Sequence, residues 1–147
     1  MDHQGLEMDA DALASFLATE FPQVASNFEI MRVMPMQVEV RMPVTERNLR
    51  PGGTVSGPSM FALADVAVYL AILAMIGPRS LAVTTNCSID FMRKPAAEAA
   101  MTARAELLKL GRTLAVGDVR MFSDSLPEPV ARASLTYSIP PLRVRNG

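Results

Sequence analysis

A chain of 147 residues with 14 basic and 15 acidic groups is one domain's worth of sequence and can hide roughly 70% of its extended-chain surface. Half of its residues are hydrophobic and only 20% are charged, which excludes bulk disorder. The near-zero net charge supplies no cationic excess for a nucleic-acid backbone, and with no Trp and only Tyr69 and Tyr137 as tyrosines there is little to stack bases on.

The acidic stretch from Met1 to Asp11 has no apolar core of the kind a secretion signal needs. Residues Asp9 to Phe21 are predicted to be helical. Leu13, Phe16, Leu17 and Glu20 fall at spacings of three and four, Asp9 or Asp11 can cap the start, and Pro22 helps end the helix. A weaker strand is expected near Phe28 to Val33, with Pro35 separating it from the next. Met36 to Met42 alternates strictly, as a half-buried strand does. A polar, glycine-containing loop runs from Pro43 to Gly57. The segment Pro58 to Ile76 follows, PSMFALADVAVYLAILAMI, apolar on nearly all sides. Pro58 suits a first helical turn and Gly77-Pro78 is a firm stop.

Four strands are expected after it. In Leu81 to Met92, Val83, Thr85, Cys87, Ile89 and Phe91 alternate with Thr84, Asn86, Ser88 and Asp90. Met101 to Leu107 and Leu114 to Phe122 flank a turn at Leu110-Gly111-Arg112. Val130 to Ile139 directs Ala131, Ala133, Leu135 and Tyr137 to one side. Short turns between these strands predict antiparallel pairing. Small residues at period two (Ala103, Ala105, Ala115, Gly117, Ala131 and Ala133) let a sheet wrap closely around one helix. The expectation is an α+β chain in which a curled antiparallel sheet holds a buried helix. A membrane span is the minor alternative. Asp65 within the segment argues against it, because a carboxylate at the bilayer centre costs about 2.5–3.5 kcal/mol.

Asp65 is the one charged group between Gly57 and Pro78. Burying it costs several kcal/mol unless partners are supplied. A structural tie to a neighbouring backbone or arginine accounts for it blandly; placement for chemistry is the sharper reading. Ser56-Gly57-Pro58 sits at the helix start, where free N–H groups and the helix dipole attract developing negative charge, although Ser56 also serves as an ordinary cap. The eleven methionines fill core gaps, and some can line an adaptable apolar pocket. The single cysteine, Cys87, excludes an internal disulfide framework and fits a reduced, cytoplasmic setting. It reads as a strand residue. No cluster of acidic, His or Cys residues suggests a metal.

These residues resemble a known family. RPGGTVSGPSMFALAD, Arg50 to Asp65, is similar to the phenylacetate-pathway-type (PaaI-like) branch of the hotdog-fold thioesterases. That branch reads Asn-x-x-Gly-x-x-His-Gly-Gly and then an apolar run ending Leu-Ala-Asp. The similarity continues through LAVTTNCSIDFMRKPA, LLKLGRTLAVGDV and VARASLTYSI, from roughly Val38 to Ile139. The resemblance implies that Asp65 is the catalytic carboxylate, as general base or nucleophile. It implies that the Gly57 N–H polarises the thioester carbonyl and that Thr84 helps hold the attacking water. Three positions depart from the pattern: Ser56 stands for His, Pro58 for the second Gly, and Arg50 for an Asn, with Asn48 two positions away.

The expectation is thus a single hotdog domain spanning residues 1–147, with its core at about 28–140. It is expected to hydrolyse acyl-coenzyme A thioesters, coenzyme A being part of the substrate and no separate cofactor being required. Catalysis is assigned to Asp65, Gly57 and Thr84. Substrate binding is assigned to Asn48, Arg50, Ser56 and Ser59, with Arg93, Lys94 and Arg112 for the coenzyme's phosphates. The alternatives are a sensor or carrier that binds acyl-coenzyme A without turnover, and a hotdog dehydratase. The latter needs a His, and the one histidine is His3. Gly57 and Asp65 lie eight residues apart, about 12 Å along a helix, too far to serve one carbonyl within a single chain. A homodimer with sites shared between two antiparallel helices is therefore expected; the resemblance implies the same shared arrangement, and a homotetramer is expected beside the homodimer.

Overall fold

The computed structural model describes residues 5–96 and 99–141. Helix α1 (Ala10–Glu20) starts at Asp9, whose side chain accepts a hydrogen bond from the Ala12 N–H at 2.9 Å. The helix stops at Phe21. Pro22 does not simply end it but opens a second short helix, α2 (Pro22–Ala25), because proline's missing N–H is no loss at a helix's first position. Strands β1 (Glu29–Met34) and β2 (Gln37–Met42) form a hairpin. Met36 belongs to its tight turn, with φ 67°, and not to the expected strand. The loop that follows holds a 3₁₀ turn at Glu46–Asn48 and a bridge between Leu49 and Val55.

Helix α3 (Gly57–Ile76) is the axis of the molecule, and the Gly77 N–H closes it onto the Leu73 carbonyl. Leu63, Leu70, Ile72 and Leu73 are fully buried, each worth about 1.5–3 kcal/mol of transfer free energy. It is long and apolar enough to cross a membrane, but here the sheet and α1 cover it. Strands β3 (Val83–Phe91), β4 (Met101–Leu110), β5 (Leu114–Ser123) and β6 (Ala131–Ser138) complete a six-stranded sheet of order β1-β2-β4-β5-β6-β3. Every pair is antiparallel. β3 does not pair with its successor. It crosses to the far edge and pairs with β6, leaving β4 to join β2.

The small inward residues let the sheet approach the helix. A Cβ at Gly117 would lie 2.9 Å from both methyl groups of Val68, closer than carbon atoms pack. Met8, Met42, Met60, Met75, Met101 and Met121 are core residues, so core filling accounts for most of the methionines.

Candidate active site

Asp65 lies two turns into α3, half-buried and facing β3 and β6. The Thr84 hydroxyl donates to its Oδ1 at 2.6 Å, and the Tyr137 hydroxyl donates to the same oxygen at 2.7 Å. Tyr137 also lies 3.1 Å from the Asp65 carbonyl oxygen. Hydrogen bonds to a charged group are worth about 1.5–3 kcal/mol each, so the cost of a carboxylate on an apolar helix is offset. Oδ2 receives no hydrogen bond among the described residues, and no buried side-chain oxygen there lacks a partner. Oδ2 is therefore the accessible oxygen. Burial, reinforced by the Asp65 charge, pushes the Tyr137 phenol well above its ordinary pKa, so it stays a neutral donor.

Thr84 reaches Asp65 because β3 is irregular. Its register with β6 shifts between Thr84 and Asn86, leaving Thr85 as an extra residue, a β-bulge. Strict alternation places Thr84 opposite in sense to Cys87 and Ile89. The bulge reverses the pleat once, so Thr84, Cys87 and Ile89 all turn inward while Val83 is exposed. Cys87 is half-buried, and its thiol is shifted upward by burial and then by the Asp65 charge.

A cavity of about 450 Å³ opens beside the carboxylate. Thr84, Tyr137 and Asp65 form its polar end; Val66, Tyr69, Ala82 and the α1–α2 elbow supply the rest. Burial, and then the charge of Glu20, lifts the Tyr69 phenol to about 12.

The start of α3 is built differently. Ser56 caps it, accepting from the Ser59 N–H at 3.3 Å and donating to the Ser59 hydroxyl at 3.1 Å. The Asn48 amide donates to the same Ser59 oxygen at 3.2 Å, while its carbonyl end accepts from the Thr45 N–H. Asn48, Ser56 and Ser59 thus tie the preceding loop to the helix. The Gly57 N–H has no hydrogen-bond partner among the described residues. A second cavity of about 660 Å³ adjoins Gly57, with Arg50, Met60, Phe91, Arg93 and Lys94 on its walls. Its rim turns at Gly52 and Gly53, with φ 102° and 80°, values that side chains on Cβ disfavour. Arg93 is partly committed, to the Pro129 carbonyl at 2.8 Å and Glu128 at 3.3 Å.

The expected residues are therefore brought together as two groups within one chain. Asp65 and Thr84 share one cavity; Gly57, Arg50, Arg93 and Lys94 share the other. Arg112 joins neither. It is exposed in the β4–β5 turn, at the Ser138 end of the sheet. His3 lies outside the described residues. Among those residues, no three His, Cys, Asp or Glu side chains cluster as a metal site would require. Tyr137 was not anticipated. Its signal was a polar tip on the inward face of a strand, which needs a partner when buried.

Residues 52–130 match the family described as the thioesterase superfamily. The fold matches a candidate thioesterase from Silicibacter sp. TM1040, with 54% identity and TM-score 0.89, covering 95% of this chain and 97% of that one. The phenylacetic acid degradation protein PaaI from Thermus thermophilus is 28% identical with TM-score 0.69, covering 81% and 99%. A hypothetical thioesterase from Streptococcus pneumoniae, solved with coenzyme A, shares the fold at 24% identity and TM-score 0.74, covering 90% and 100%. The chain belongs to the thioesterase superfamily, with a hotdog fold of the type found in PaaI proteins.

Proposed function

We propose that this protein hydrolyses acyl-coenzyme A thioesters by general-base catalysis from Asp65, in a site completed by a second copy of the chain. The observation that carries the reading is the Asp65 carboxylate, with Oδ1 held by Thr84 and Tyr137 and Oδ2 free to face an apolar cavity. In the reaction, Oδ2 takes a proton from water as the water oxygen bonds to the thioester carbon. The developing oxyanion is stabilised by the Gly57 N–H at the positive end of α3. The carbon–sulfur bond then breaks, and the coenzyme thiolate takes up the proton held by Asp65.

Gly57 and Asp65 of one chain are about 12 Å apart along α3, so they cannot meet at one carbonyl. A twofold axis relating two antiparallel α3 helices sets the Gly57 of one chain beside the Asp65 of its partner. The free edge of β3 supports this arrangement. Among the described residues β3 has a strand neighbour on one side only, and it carries exposed Val83 and Phe91, flanked by exposed Leu81 and Met92. An open edge with apolar ends invites pairing with another chain. Arg50, Arg93 and Lys94 line the hollow beside Gly57 and offer the cations that coenzyme phosphates require. Coenzyme A in the pneumococcal relative's structure is consistent with that ligand class.

The test is a hydrolysis screen over short, long and aromatic acyl-coenzyme A substrates, with release of free thiol as the readout. Turnover is expected, and Asp65→Asn is expected to lower kcat by at least about 100-fold while the protein stays folded. Tight acyl-coenzyme A binding with no turnover in the unaltered protein would replace the hydrolase reading with a sensor or carrier.

A further inference from the structure

We propose that the α1–α2 elbow is the far wall of the acyl site, that Phe21 determines how long an acyl group is accepted, and that the acyl groups taken are uncharged and apolar. The proposal rests on the acyl-coenzyme A reading above and extends it to a part of the chain outside residues 52–130, the segment matching the family.

The argument begins with Phe21-Pro22. A residue before proline is pushed out of the helical region, and Phe21 sits at φ −136° and ψ 59°. The chain breaks there, between α1 and α2, and the Phe21 ring turns toward the body of the protein. It meets the Tyr69 ring edge-on at a centroid distance of 6.0 Å. Tyr69 lies 6.1 Å from Tyr137, whose hydroxyl holds Asp65. A row of rings thus leads from the carboxylate to the elbow. Leu17, Phe21 and Val24 line the same cavity as Asp65.

The elbow is anchored, as a wall must be. Leu13 and Leu17 are buried on its inner face. The backbone just before α1 is tied to the end of α3, with the Glu7 and Met8 N–H groups 2.7 and 3.2 Å from the Ala74 carbonyl. The lining defines the chemistry of the guest. Among the described residues it holds no Lys, Arg or His, and Asp65 is its one charged group. The Tyr69 hydroxyl points at the Ser80 carbonyl, at 3.4 Å. A guest ending in a carboxylate would lose its hydration there and gain no cation. An alkyl or aryl end would be buried against Leu17, Phe21 and Val66.

The experiment measures, by calorimetry, the binding of non-hydrolysable S-alkyl coenzyme A thioethers, from butyl to tetradecyl. Affinity is expected to climb by about 4-fold per methylene and to stop climbing when the chain meets Phe21. In Phe21→Ala and Phe21→Leu the break should move to longer chains, and in Phe21→Trp to shorter ones. A thioether ending in a carboxylate should bind at least about 10-fold more weakly than its methyl-ended equivalent. Circular dichroism checks each fold; if Phe21→Ala fails to fold, the Leu and Trp variants decide. An unmoved break in the folded variants overturns the wall. A series without chain-length dependence, including one with no binding, also overturns it. Equal binding of the carboxylate-ended probe overturns the assigned acyl class. Hydrolysis of the matching acyl thioesters is scored separately. A shifting break without turnover keeps the wall and removes the hydrolase reading, whereas turnover with an unmoved break does the reverse.

Discussion

The two ends of the first half of α3 are built on opposite principles. At the Asp65 end, one carboxylate is held by two hydroxyls beside an apolar cavity whose one charge, among the described residues, is its own. At the Gly57 end, a larger hollow is rimmed by Arg50, Arg93 and Lys94, and the helix start offers an N–H without a hydrogen-bond partner among the described residues. The first environment suits proton transfer and an apolar acyl group. The second suits anionic oxygen, both on phosphates and on a developing oxyanion. Neither end is sufficient for thioester hydrolysis. On the proposed mechanism, the contrast makes them complementary halves of two sites, each completed by a second copy of the chain.

Subunit mixing is the most decisive way to break that comparison. Asp65→Asn removes the base from one half. Gly57→Pro removes the N–H from the other, at a helix position where proline is accepted and after a Ser56 already extended at ψ 153°. Each homodimer should be nearly inactive. Exchanged heterodimers should recover one intact site in two, measured as thiol release after confirmed exchange. No recovery would place the whole site within one chain.

A smaller effect sharpens the Asp65 half. Tyr137→Phe keeps the ring against Tyr69 and deletes one of the two hydrogen bonds to Oδ1. A loss of about 10-fold in kcat is expected, in line with a charge-assisted hydrogen bond, with KM little changed. An unchanged kcat would reduce Tyr137 to core packing. At the Gly57 half, Ser56→Ala should cost about 1 kcal/mol of stability through the lost cap, read from denaturant unfolding, with only a modest change in rate. A rate loss as large as that of Asp65→Asn would instead make Ser56 a catalytic group.

The smallest predicted effect is alkaline. The Tyr69 phenol is raised in the folded protein to about 12, so the folded state holds this proton more tightly than the unfolded chain does. Its contribution to stability is intact below about pH 10 and is lost as pH rises toward 12. Tyr137 acts in the same direction. Unfolding curves across that window should fall less steeply in Tyr69→Phe than in the unaltered protein.

Much of this was legible in sequence. Periods of two and near 3.6 mark β2, β4, β5, β6 and α1, because each residue's burial is set by which face of its own element it occupies, whereas α3 is marked by being apolar on nearly all sides between Pro58 and Gly77. The isolation of Asp65 in an apolar run singled it out before any partner was known, and the small residues at period two announced a sheet lying tight on a helix. Gly77-Pro78 marked the end of α3 for a local reason, chain termination at a cap.

What only the tertiary structure decided are relations between distant segments. β3 pairs with β6 and not with β4, a choice made by strand crossover and not by turn length. The bulge at Thr85 turned Thr84 inward, reversing the face that alternation assigned to it. Tyr137 meets Asp65 across 72 residues, and Phe21 reaches the cavity from an elbow in the first helix pair. Periodicity reports the direction of a side chain relative to its own strand or helix. It is silent on which element lies opposite, because that is settled by packing the whole sheet around α3.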